Sequence, residues 1–137
     1  MGDFSLSIES LSHGWADLRM MIDGQEKRLY FEYAPNDPLY ELLEGAIKLY
    51  GKSDTTIKLH NCSCIEYLHL KSIADKCCIE ADDIQIILPL KQFSKAVFRM
   101  FDTYTYNYSR NEFLIHWGRG WYPDREINRL REIYKSL

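Results

Sequence analysis

The chain has 137 residues, 46% of them hydrophobic and 27% charged, a balance that suits one globular domain and excludes a largely disordered protein. Its net charge of −3 is uneven: residues 1–90 carry 8 basic against 15 acidic side chains, and residues 91–137 carry 9 against 5. That is a poor footprint for nucleic-acid binding, and no run approaches the ~18 apolar residues of a membrane span.

The elements follow in chain order. Phe4, Leu6 and Ile8 alternate with Ser5, Ser7 and Glu9, the period of a half-buried strand. Ser12-His13-Gly14 breaks it, and a second strand from Trp15 to Ile22 sets Ala16, Leu18, Met20 and Ile22 on one face. Asp23-Gly24 is a hairpin turn pair, and a third strand covers about Lys27 to Tyr33. Asp37 then offers a helix cap, with Pro38 in the first turn. Leu39, Leu42, Leu43, Ala46, Ile47 and Tyr50 form one buried stripe, and Gly51 ends it. Gly45 inside this helix costs ~1 kcal/mol against alanine, which suggests close packing on the sheet.

Strand character returns at Thr55–Leu59, Ile65–Ile73 and Ile84–Leu88; Asp75–Asp83 is either a strand or a turn-rich connection. Beyond Lys91 the period becomes helical. Phe93, Val97, Met100, Phe101, Tyr104 and Tyr108 share one face, and a last helix from near Pro123 aligns Ile127, Leu130, Tyr134 and Leu137. The expected architecture is a single α+β domain over residues 1–137. It combines a mostly antiparallel sheet of five to six strands with about three helices packed on one face.

No catalytic constellation emerges. His60-x-Cys62-x-Cys64 followed by Cys77-Cys78 offers thiolates and an imidazole, but the spacing departs from the C-x₂₋₄-C of zinc sites. In a strand, Cys77 and Cys78 also point to opposite faces. The four cysteines are therefore read as small core hydrophobes and reduced thiols, with no metal and no cofactor. The histidines are scattered, no nucleophile elbow or phosphate loop is present, and Asp82-Asp83 suits a solvated turn. The start Met1-Gly2-Asp3-Phe4-Ser5 lacks a signal-peptide pattern, so a cytoplasmic protein is expected.

What remains is contact chemistry. His116-Trp117-Gly118-Arg119-Gly120-Trp121-Tyr122 brings together residue types enriched in binding hot spots, with Tyr104, Tyr106 and Tyr108 just upstream. The competing role for Trp117 and Trp121 is to close the core before the last helix. A basic partner suits the acidic body, for which Asp17, Glu66, Glu80, Asp82 and Asp83 are the first candidates. Tyr104, Tyr106, Trp117, Arg119 and Trp121 are the second set.

Three segments in order resemble small bacterial immunity proteins of polymorphic or contact-dependent toxin systems. They are Gly14-Trp15-Ala16-Asp17-Leu18, Phe31-Glu32-Tyr33, and Asp37-Pro38-Leu39-Tyr40-Glu41-Leu42-Leu43, and an aromatic late helix with Trp121-Tyr122-Pro123 adds to the likeness. The resemblance implies a non-enzymatic α+β domain that binds and blocks a toxin domain, often a basic nuclease. The alternative is a small-molecule or peptide-binding α+β module with a pocket between sheet and helices.

Overall fold

Alternating apolar residues and two-residue turns fold the first third of the chain into a meander. In the computed structural model, which describes residues 3–62, 64–82 and 84–136, strands β1 (Phe4–Ser12), β2 (Trp15–Ile22) and β3 (Gln25–Glu32) form an antiparallel sheet in the order β1-β2-β3. His13 and Gly14, like Asp23 and Gly24, all have positive φ, the twist that matches two-residue hairpins. Phe4, Leu6, Ile8, Ala16, Leu18, Met20, Leu29 and Phe31 fill the inner face. A shift in register between Ile8 and Ser10 turns Leu11 inward too.

Helix α1 (Pro38–Tyr50) starts as its sequence dictates: Asp37 is the N-cap, its Oδ1 accepting from the backbone N–H of Tyr40 at 3.1 Å. A second antiparallel sheet follows, with β4 (Thr55–Asn61), β5 (Cys64–Ile73), β6 (Lys76–Ala81) and β7 (Ile84–Pro89) in sequential order. Gly45 lets α1 approach this sheet: a Cβ there would lie 2.6 Å from Leu70 Cδ1.

Helix α2 (Leu90–Asn107) packs against β1, β6, β7 and α1. Helix α3 (Arg110–Trp117) lies against β1 and β2, and α4 (Asp124–Lys135) against α1 and α2. Arg131 of α4 clasps Asp102 of α2 through both carboxylate oxygens, at 2.8 and 2.9 Å.

The fold is α+β, but among the described residues it has seven strands in two sheets and four helices rather than one sheet of five to six strands and three helices. Helix α1 separates β3 from β4, so the two meanders meet without sharing a ladder. The undecided Asp75–Asp83 segment is largely β6. Helix α3 escaped the periodicity reading because only Phe113 and Trp117 of its eight residues are buried. Tyr108 caps α2 from an exposed position, although its spacing put it on the buried face. Cys77 and Cys78 are buried on opposite sides of β6, whereas Cys62 and Cys64 flank the β4–β5 turn and are exposed, outside the core role expected for all four. Leu137 lies outside the described residues, among which no helix is long and apolar enough to cross a membrane.

Candidate protein-binding surface

The aromatic stretch after α3 turns inward. Trp117 is fully buried and meets Phe31 and Tyr33 edge-on, with centroids 5.9 and 5.4 Å away. Its indole Nε1–H donates to Asp37 Oδ1 at 3.0 Å, and Arg119 Nη1 donates to Asp37 Oδ2 at 2.6 Å. Gly118, at φ 92°, reverses the chain between them, a conformation that favours glycine. The Arg119 guanidinium lies between the rings of Tyr40 (4.1 Å) and Trp121 (4.5 Å), and its Nε–H donates to Trp121 O. Arg119 is 8% exposed. One carboxylate thus caps α1, receives the indole and neutralises a buried arginine, so Trp117 and Arg119 hold the fold rather than lining its surface.

The other sequence candidates divide. Tyr104 is buried, while Tyr106 and Trp121 stand on the surface. Asp17 lies on the outer face of the first sheet, bound to Arg28 at 2.8 Å. The same face carries Glu9, Arg19 and Glu26, whose contacts with Arg28 and one another leave little uncompensated charge. Asp83 lies outside the described residues.

Glu66 and Asp82 meet at one end of the second sheet, on the phase of Leu68 and Leu70, whereas Glu80 stands apart on the outer face, opposite His69. Glu66 and Asp82 are hydrogen-bonded to each other. Sharing a proton with Asp82, and partial burial after that, push the Glu66 carboxyl above its usual range; the same hydrogen bond pulls Asp82 down. Lys27 of β3 reaches Asp82 at 3.3 Å and ties the two sheets together. Glu80 pairs with Lys71 at 3.0 Å, which holds its carboxyl below the usual range.

Around Glu80 spreads a sheet face that sequence patterning did not single out. The helices lie on the inner side, where Ile57, Leu59, Leu68, Leu70, Cys77 and Ile79 are buried. The outer side presents Ile65 (50% exposed), Tyr67 (42%) and Ile87 (56%), interspersed with Lys58, Lys71 and Gln85. Thr56, His69, Glu80 and Gln85 stand directly opposite one another across all four strands. Thr56 Oγ1 contacts His69 Nδ1 at 3.0 Å, and the His69 ring stacks on Tyr67. The missed signal was the apolar residue on the polar phase of each strand: Ile65 and Tyr67 in β5, and Ile87 in β7.

Among the described residues no group of three or more histidine, cysteine, aspartate or glutamate side chains is placed to hold a metal ion. The chain matches no protein family, no curated protein and no solved structure.

Proposed function

We propose that this chain is a non-enzymatic binding protein of the inhibitor or immunity type, which holds a partner protein domain against the outer face of β4–β7. The carrying observation is that Ile65, Tyr67 and Ile87 stand half-exposed on the face of β4–β7 turned away from the described helices. Ile65 and Tyr67 are neighbours along β5, while Ile87 stands on the same face two strands away, level with Lys71. Large apolar side chains left on an uncovered sheet face mark interaction sites. Covering each half-exposed side chain contributes on the order of 1 kcal/mol. Lys58, Lys71 and Glu80 supply a polar frame that sets orientation. Of the acidic candidates, Glu80 stands on this outer face, whereas Glu66 shares the inner phase of Leu68 and Leu70 with Asp82 beside it, so Glu80 is the acidic contact offered to a basic spot on the partner.

The test is affinity capture of the tagged protein from its native cells, followed by salt elution and mass spectrometry. Ile87→Asp and Tyr67→Ala are compared with Tyr30→Ala, which alters an exposed tyrosine on the other sheet. One stoichiometric partner, kept by Tyr30→Ala and lost by the other two, supports the reading. A partner retained by Ile87→Asp and Tyr67→Ala together removes this surface from consideration.

A further inference from the structure

A second binding feature lies on the opposite flank, where β1 is the open edge of the first sheet. Asp23 N–H donates to Asp3 O at 3.0 Å, which makes residues 3 and 23 a hydrogen-bonded pair. Pairs alternate in an antiparallel ladder, so Ser5 and Ser7 also bond to β2 while Phe4, Leu6 and Ile8 turn their N–H and C=O groups outward. Among the described residues nothing bonds to those outward groups. Unpaired edge groups of this kind are a template for an added strand.

Helix α2 runs alongside that edge in the same direction, since Phe4 meets Phe93 at one end and Leu11 lies near Tyr104 at the other. Between edge and helix is a cleft of 350 Å³ whose lining includes Phe4, Leu6, Gln92, Lys95 and Arg99, with one acidic residue, Asp3, against the two cations. Lys95 and Arg99 make no ion pair among the described residues. One helical turn separates them, a rise of ~6 Å. Alternate residues of a strand stand ~6.7 Å apart on one face, so two carboxylates at i and i+2 match the two cations.

We propose that the β1 edge accepts an extended acidic segment of another polypeptide, added as a fourth strand with alternate carboxylates on Lys95 and Arg99. Main-chain bonds to Phe4, Leu6 and Ile8 supply the docking, and the helix cations select the sequence. This is independent of the β4–β7 surface and stands or falls separately.

The probe is a short capped peptide of alternating valine and glutamate, titrated by fluorescence anisotropy against the full chain. Three comparisons accompany it: the lysine-for-glutamate peptide, the glutamate peptide N-methylated on its edge-facing amides, and the K95E/R99E variant. Binding of the acidic peptide is expected to weaken at least about tenfold with K95E/R99E and with N-methylation, and the lysine peptide is expected not to bind the wild type. Circular dichroism checks that the variant remains folded, and single K95Q and R99Q variants replace it if it does not. Absence of acidic-peptide binding overturns the proposal. So does equal binding by the charge variants, or by the N-methylated peptide, which would reduce the interaction to something other than strand addition.

Discussion

The Asp37→Ala substitution deletes the cap acceptor for Tyr40 N–H, the acceptor for Trp117 Nε1–H and the carboxylate facing Arg119. A lost cap costs ~1 kcal/mol. An indole N–H left unpaired in the interior costs ~1–3 kcal/mol. A buried guanidinium stripped of its counter-ion costs ~3–5 kcal/mol. The three effects share one site and do not add fully, so the expected loss is about 4–6 kcal/mol, a large part of the ~5–15 kcal/mol that holds a domain folded. Urea unfolding followed by far-ultraviolet circular dichroism reads it directly. Asp37→Ser with Arg119→Met keeps a cap and removes the buried charge, and is expected to fall within about 2 kcal/mol of wild type. If Asp37→Ala costs only the ~1 kcal/mol of an ordinary cap, the burial argument for Arg119 is wrong.

Gly45→Ala gains ~1 kcal/mol of helix propensity but drives a Cβ onto Leu70 at a packing cost of ~1–3 kcal/mol. A net loss near 1 kcal/mol is expected, and a gain in unfolding midpoint would contradict the close approach. At Glu66 the raised carboxyl pKa means stabilisation present below the usual glutamate range and lost as pH rises through the folded value. Glu66→Gln does not titrate, so its stability relative to wild type should rise from acid to neutral pH, by less than about 1 kcal/mol because Asp82 is well exposed. A flat or opposite trend in paired urea titrations would remove the shared proton. Cys77, whose thiol burial pushes up to about 12, should resist thiol reagents at pH near 8, as should buried Cys78. Mass spectrometry of the native protein should therefore find rapid labelling at Cys62 and Cys64 alone, and rapid labelling of Cys77 would mean that β6 is less protected than it stands.

Local chemistry made much of this fold legible. Asp37-Pro38 with its downstream stripe defined α1, and Asp23-Gly24 defined the β2–β3 hairpin, whereas the positive-φ turns at Cys62, Ala74 and Asp82 carried no such pair. What escaped depended on partners far along the chain. Nothing in the β3 or β4 sequence says that the two strands touch without hydrogen-bonding into one sheet, because that depends on how the two meanders meet across the connecting α1. Ser109-Arg110-Asn111-Glu112 did carry a helix-start signature, and Ser109 Oγ accepts from Glu112 N–H at 3.0 Å, but the weak apolar period behind it hid α3. Arg119 read as a surface anchor because composition alone does not distinguish a hot-spot arginine from one sandwiched between Tyr40 and Trp121. Among the acidic candidates, the meeting of Glu66 with Asp82 required the register of β5 against β6.

The 82-residue separation of Asp37 and Arg119 along the chain also sets an order of events. A ribosome delivers α1 long before the arginine that neutralises its cap, and the Phe31 and Tyr33 rings emerge without the indole that later covers them. Any nascent chain or proteolytic fragment ending before Trp117 therefore exposes a sticky aromatic pair beside an unanchored helix start. The segment from Trp117 to Trp121 acts as the closing seam of the whole molecule. A cut there should release both halves into chaperone-dependent states, and a C-terminal tag is safer beyond α4 than any truncation within it.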